Sequence, residues 1–265
     1  MTTLTEIENS ELIQSRYSVL SDAARRVASP QIRNTGTIGG NLCQDTRCWY
    51  YRYGTDCYRA GGTTCYADTP EGQNREHCLW GADRCVAVSP SDTAPALVVL
   101  DARMVVQNAE GEREIPAEEF FIGPDVDIER MTVLEPGDFF TGIRIPNAWA
   151  GSRFYFEKVA DRNTWDFALV NIASAMVVEG GSISRIRMAA GGVECVPKRL
   201  TVVEEVVTGS APDEQTGALA GRWRCGATPL NYNHFKIPFW RTSSNALSAT
   251  HDEVLRPVDE WSFYG

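Results

Sequence analysis

Six of the eight cysteines fall between Cys43 and Cys85, directly behind the segment Thr37-Ile38-Gly39-Gly40-Asn41. Soft thiolates crowded into one segment serve either to hold a metal or cluster, or to staple a secreted scaffold with disulfides. From Cys48 through Cys57, Cys65, Cys78 and Cys85 the spacings are nine, eight, thirteen and seven positions, so no CxxC pair is present. Structural zinc sites draw on such closely spaced knuckles, and zinc is correspondingly poorly supported. A cubane iron–sulfur cluster needs four thiolates converging on one centre, which widely spaced ligands on a folded loop can supply. Of the spare thiols, Cys43 follows Leu42 and reads as a small buried hydrophobe. Cys78, in Glu76-His77-Cys78-Leu79-Trp80, reads the same way but stands as an alternative ligand. Cys195 and Cys225 lie far along the chain and read as core residues.

The glycine pair before the cysteines suits backbone that must approach a pyrophosphate closely, because a Cβ there would clash. Taken alone it is an ordinary turn. A chain of 265 residues with 43% hydrophobic and 23% charged residues can build its own core, which removes the usual motive for structural disulfides. The net charge of −10 and the absence of a basic stripe exclude a nucleic-acid partner. Neither a basic, apolar leader at Met1–Glu6 nor an uninterrupted apolar span is present, so no membrane insertion and no export signal are expected.

The elements that must position these residues follow from periodicity. Thr5 to Ile13 and Tyr17 to Val27 read as two short amphipathic helices ending before Pro30. Between Cys43 and Cys85 periodicity vanishes, which predicts an inserted irregular loop. Ser91-Asp92-Thr93-Ala94-Pro95 reads as an N-capped helix start, followed by strands at Arg103–Gln107 and Phe139–Ile145. Pro146-Asn147-Ala148 reads as a junction, giving domains 1–147 and 148–265. In the second, Arg153–Lys158, Phe167–Val178 and Ile183–Met188 read as strands, with a hairpin at Glu179-Gly180-Gly181. Helices are expected at Leu200–Val207, Ala211–Trp223 and near Trp240–Leu247. Sheet first and helices after make an α+β unit.

Three stretches together carry a resemblance: Ile32-Arg33-Asn34-Thr35-Gly36-Thr37-Ile38-Gly39-Gly40-Asn41-Leu42, Asp45-Thr46-Arg47-Cys48, and Ser91-Asp92-Thr93-Ala94-Pro95-Ala96-Leu97. The chain resembles the FAD-binding medium subunit of the molybdenum hydroxylases, the xanthine dehydrogenase family. More closely it is similar to the branch containing 4-hydroxybenzoyl-CoA reductase and bacterial aldehyde oxidoreductases, in which an extra loop carries a [4Fe–4S] cluster. Phe156-Glu157-Lys158-Val159-Ala160-Asp161-Arg162 and Asp166 to Ala175 are similar to the family's C-terminal domain. The resemblance implies the second part of a PCMH-type FAD-binding domain with an inserted iron–sulfur loop at 43–85, then a CO dehydrogenase flavoprotein C-terminal-like domain. It places the residue aligned with Met1 downstream of the family's first glycine-rich FAD loop.

Carried over by position, Cys48, Cys57, Cys65 and Cys85 match the cluster ligands, Cys85 because it lies just before Ala87-Val88-Ser89-Pro90-Ser91-Asp92. Thr37, Ile38, Gly39, Gly40 and Asn41 match the second FAD loop, and Asp92 and Lys158 match positions near the ribityl chain and the ring. Without the family, Asp92 reads as a helix cap and Lys158 as a surface strand residue. The implied assembly has a large subunit with molybdenum cofactor, where substrate reacts, and a small subunit with [2Fe–2S] clusters. This chain would relay electrons between those clusters, FAD, the [4Fe–4S] cluster and an external partner such as ferredoxin, in the cytoplasm or, co-exported with a partner subunit, in the periplasm. Arg47 or Arg59 would raise the cluster's potential, and Asp45, Asp56 and Asp68 would lower it. The aromatic run Trp49-Tyr50-Tyr51-Tyr53 would pack around the loop or keep water off the cluster. The competing reading is a non-enzymatic metal-binding or scaffold module that does not bind FAD.

Overall fold

The chain is described by a computed structural model covering residues 1–222, 226–237 and 247. Its N-terminal helices are α1 (Leu4–Glu8), α2 (Glu11–Arg16), α3 (Ser18–Arg25) and α4 (Pro30–Arg33). Three helices stand where the periodicity predicts two before Pro30, because local capping cuts the pattern. Thr3 and Glu6 form a reciprocal capping box at α1, Ser10 caps α2, and Tyr17, at φ −145°, breaks the backbone between α2 and α3. The glycine segment forms a further short helix, α5 (Ile38–Leu42).

The long segment 43–85 is irregular, as expected, apart from the single turn α6 (Trp49–Arg52) and 3₁₀ turns at Tyr58–Ala60 and Tyr66–Asp68. It is followed by α7 (Thr93–Val99), buried along its whole length. Then come β1 (Arg103–Asn108), β2 (Gly111–Pro116), α8 (Ala117–Phe120) and β3 (Phe139–Arg144). These strands make an antiparallel sheet in the order β2-β1-β3. The edge strand β2, Gly-Glu-Arg-Glu-Ile-Pro, lacks an apolar face and was not predicted. Its charges work across the sheet surface instead, Glu112 and Glu114 both pairing with Arg144 of β3.

The second sheet, β4 (Arg153–Val159), β5 (Val170–Glu179), β6 (Ser182–Gly191) and β7 (Lys198–Arg199), is antiparallel in chain order, and α9 (Thr201–Val207) and α10 (Glu214–Ala220) follow. Gly180 and Gly181, at φ +59° and +84°, close the expected β5–β6 hairpin in the conformation that right-twisted strands favour. Strand β5 starts three residues later than predicted, after a turn at Asp166 held by Lys158. Alternation along β5 divides the core: Ala173 and Ala175 join α3, α7 and Phe120, whereas Ile172 and Met176 join Val203 and Val207 of α9. Each such buried Ile, Met or Val stabilises by about 1.5–3 kcal/mol. The alanines let α7 lie close to the sheet. The helix predicted over Ala211–Trp223 is realised as α10, and the one near Trp240–Leu247 lies outside the described residues except for Leu247, which is buried.

The cysteine segment is fastened to the second sheet rather than packed on a face of its own. Leu79 and Trp80 donate backbone N–H groups to Val193 O, and Ser89 donates to Glu194 O. A strap at 231–236 holds the other side. Asn231 donates to Thr69 O and Pro70 O, Asn233 to His77 O and Cys78 O, and the wholly buried Lys236 to His77 O and Gly192 O.

Candidate cofactor site

Cys48, Cys57, Cys65 and Cys85 line one cleft, together with Tyr50, Tyr51, Tyr58, Tyr66 and Arg59. Cys48 enters it from the start of α6, Cys57 and Cys65 from residues preceding the two 3₁₀ turns, and Cys85 from the return of the segment to the second sheet. A backbone bridge from Cys57 to Thr64 and the bond from Gly62 N–H to Cys57 O fold the middle of the loop back on itself. Every described cysteine is a free thiol. Among the described residues, no three Cys, His, Asp or Glu side chains lie close enough to hold a single metal ion.

Backbone donors surround three of the four sulfurs. Backbone N–H groups of Tyr50 and Tyr51 reach Cys48 Sγ, those of Val86 and Asp68 reach Cys65 Sγ, and that of Ala87 reaches Cys85 Sγ. Such bonds stabilise charge on thiolate. Burial nevertheless pushes the Cys48 thiol up to about 11 and raises that of Cys65. Cys85 is held below the usual thiol range by the neighbouring Cys195 thiol and then by Ala87 N–H and the nearby Arg59 guanidinium. Arg59 and Arg84 are the arginines lining this cleft, and of the two Arg59 is the buried one. Arg59 donates to Glu129 O at 2.6 Å and lies 3.5 Å from Asp45. Arg47 is exposed and stacks over Phe167 instead.

Several spare residues stand differently from their sequence reading. Cys78 is buried as expected and lies outside the cleft, its thiol pushed up to about 12 by burial. Cys43 is exposed, not buried, because it caps the end of α5 with its side chain outward. Cys195 is buried but not remote: it packs with Cys85, Cys48 and Ala87, and its Sγ lies 2.9 Å from Ala87 O. Cys225 lies outside the described residues. Tyr50 and Tyr51 line the cleft, whereas Trp49 is half exposed and lies outside it. A water shield is therefore assignable to the two tyrosines and not to Trp49.

A second, larger cavity adjoins the first. Cys48 and Ala87 line both, and the far wall is Asp166, Phe167, Ala168, Leu169 and Asn171 at the entry to β5. Behind that wall lies a buried ion pair, with Lys158 Nζ 2.6 Å from Asp92 Oδ2 and also donating to Arg26 O and Asp166 O. Asp92 Oδ1 accepts from Asn171 Nδ2 at 2.9 Å. Lys158 is thus not the surface residue of the bare reading. Asp92 does not cap α7 either: Ser91 Oγ takes Ala94 N–H, leaving the carboxylate for the lysine.

The glycine segment is a helical turn, not an open loop. Thr37 caps it through Gly40 N–H at 3.0 Å, and a Cβ at Gly39 would lie 3.3 Å from the Phe140 ring. The glycines here serve close packing, with neither in a left-handed conformation. Asn41 Oδ1 accepts from Ser91 Oγ at 2.7 Å and Thr93 Oγ1 at 2.6 Å, tying α5 to the start of α7. Thr37, Ile38, Gly39, Gly40 and Asn41 line neither cavity. Asn171 Oδ1 is buried without a hydrogen-bond partner among the described residues and packs against Gly191, where a Cβ would lie 2.4 Å from it.

The comparisons with known proteins decide the family. Residues 1–148 match the model described as the FAD binding domain in molybdopterin dehydrogenase, and residues 155–230 the CO dehydrogenase flavoprotein C-terminal domain. This chain belongs to the family of FAD-binding subunits of molybdopterin dehydrogenases. It is 34% identical over 237 residues to the aldehyde oxidoreductase FAD-binding subunit PaoB of Escherichia coli, covering 88% of this chain and 71% of that one. It is 27% identical to the carbon monoxide dehydrogenase medium chain of Hydrogenophaga pseudoflava and 25% identical to the nicotine 6-hydroxylase medium subunit of Paenarthrobacter nicotinovorans, spanning 50% and 64% of their lengths. In fold it matches the structure of the Hydrogenophaga pseudoflava carbon monoxide dehydrogenase, with a TM-score of 0.67, 24% identity and coverage of 93% of this chain and 72% of the other. The α+β architecture of this oxidoreductase family is thereby established. Among the described residues no helix is long and apolar enough to cross a membrane.

Proposed function

We propose that this chain is an electron-transfer subunit that holds FAD and a [4Fe–4S] cluster within a molybdenum-containing hydroxylase or reductase. The observation that carries the reading is the sharing of Cys48 and Ala87 between a four-thiol cleft and an adjoining larger cavity that would take the flavin ring. When bound, FAD exchanges two electrons and a cubane cluster takes one at a time, so the pair converts between hydride-type and single-electron chemistry. The chain's own part is positional. Cys48, Cys57, Cys65 and Cys85 would ligate iron, backbone amides and Arg59 would steady the charge on sulfur, and Tyr50 and Tyr51 would limit access of water.

Thr37, Ile38, Gly39, Gly40 and Asn41 would support the flavin's phosphate side, and the Asp92–Lys158 pair would fix Asn171 at the ring. Substrate chemistry belongs on a partner carrying the molybdenum cofactor, with [2Fe–2S] clusters on a small subunit and a ferredoxin-type protein as external partner. Relatives named for aldehyde, carbon monoxide and nicotine share this architecture, so substrate identity is set outside it. Free thiols suit a reducing compartment such as the cytoplasm. Metal and flavin analysis of the complex purified with its partners tests the reading. About four irons assigned to this chain and one flavin are expected; one zinc without iron would overturn it.

A further inference from the structure

Cys48 stands out among the cleft thiols because a side-chain nitrogen reaches it from outside the cleft. His77 Nε2 lies 3.2 Å from Cys48 Sγ. The ring is only 3% exposed, and its other nitrogen, Nδ1, has no hydrogen-bond partner among the described residues. His77 is absent from the lining of the thiol cleft but lines the second cavity beside Cys48. Its backbone is fixed at both ends: His77 N–H donates to Asn74 O at 3.1 Å, and His77 O accepts from Asn233 at 3.1 Å and Lys236 at 2.9 Å. An imidazole held this firmly in a dry position is aimed, not accidental.

We propose that His77 is a positioning residue for the reduction potential of the iron–sulfur group, donating Nε2–H to the sulfur of Cys48. The inference rests on the four-thiol cleft holding a [4Fe–4S] cluster. A ligating thiolate carries no proton, so the hydrogen must come from the imidazole. Adding one electron to a cluster increases the negative charge on its thiolates, and an N–H···S bond stabilises that charge, which favours the reduced state and raises the potential. The low dielectric around a buried ring strengthens the bond. Cys48 is also the one predicted ligand that borders the second cavity. The hydrogen bond therefore acts on the ligand nearest the other redox group, where it changes the driving force for transfer between the two.

The test is a redox titration of the purified complex followed by EPR of the reduced cluster. Leucine in His77→Leu fills the space without donating, and glutamine in His77→Gln restores a donor. The expected result is a downward shift of the midpoint potential in His77→Leu with iron content unchanged, largely reversed in His77→Gln. An unchanged potential in His77→Leu at full iron content overturns the inference while leaving the cluster reading intact. A wild-type complex without iron overturns the cluster reading itself. If His77→Leu does not retain iron, the wild-type complex labelled with ¹⁵N-histidine decides the matter. A histidine nitrogen coupled to the reduced cluster in pulsed EPR supports the bond, and its absence overturns it.

Discussion

Cys57 and Cys78 are both buried thiols of the same segment, yet only Cys57 faces the cleft. Serine at Cys57 removes one of four soft ligands and leaves an alcohol that does not ionise near neutral pH. Loss of most of the iron per chain is expected in Cys57→Ser, whereas Cys78→Ser keeps it, and iron analysis of the two purified variants checks this. Cys195→Ser also keeps iron, because a serine hydroxyl can replace the thiol against Ala87 O. Full iron in Cys57→Ser would refute the ligand set. The resemblance to the family singles out Cys48, Cys57, Cys65 and Cys85 among the six thiols of the segment, and these four line one cleft. The groups that condition their chemistry were not legible. Cys195 meets Ala87 across 108 residues and Arg59 meets Glu129 across 70, and no local pattern encodes contacts at such separations. His77 had a weak signal, one of three histidines placed inside the cysteine segment.

At the scale of elements, strands with alternating apolar residues, such as β1, β4 and β6, were readable, and so was the double-glycine hairpin. The edge strand β2 was not, because its order comes from cross-strand ion pairs rather than from a buried face. The strap at 231–236 was equally silent in sequence: an ordinary polar run becomes a clamp only when Asn233 and Lys236 reach carbonyls of the cysteine segment. That clamp has a pH signature. Burial without a counter-ion pushes the Lys236 ammonium down to about 7 from its usual 10.5. Between those two values the unfolded chain binds a proton at Lys236 that the folded chain has released, so folding stability from this group rises with pH across the window. The full penalty of the buried charge is felt below about pH 7. Relative to Lys236→Met, the wild-type chain should gain about 1.4 kcal/mol per pH unit from pH 7 to 9. Urea unfolding of both proteins at pH 7, 8 and 9 measures this, and parallel pH profiles would show that the lysine does not titrate in that window.

For the molecule as a whole, the two sheets and α7 supply most of the apolar core, whereas segment 43–85 contributes Leu79 and Trp80 to the core of the second sheet and otherwise only small clusters around Cys78 and Cys85. Between Cys43 and Cys78, where apolar burial is small, the segment would depend under the proposed function on the group its four thiols hold, since ligand binding to a folded site adds directly to local stability. The sheets do not. Removing iron should therefore loosen 43–85 while leaving the rest folded. Arg52, Arg75 and Arg84 offer exposed trypsin sites within the segment, and cleavage there requires the backbone to open locally. Each 1.4 kcal/mol of lost local stability increases the open population about tenfold. The chelator-stripped complex should accordingly be nicked within 43–85 at least about ten times faster than the iron-loaded one, with far-ultraviolet circular dichroism nearly unchanged. Cleavage at equal rates would mean that the strap and the contacts at Val193 hold the segment without help. Cleavage beginning in the sheets would mean that iron supports the whole molecule. Only selective nicking of the loop fits a scaffold that folds on apolar burial and carries a cofactor-ordered insertion at the seam between its two sheets.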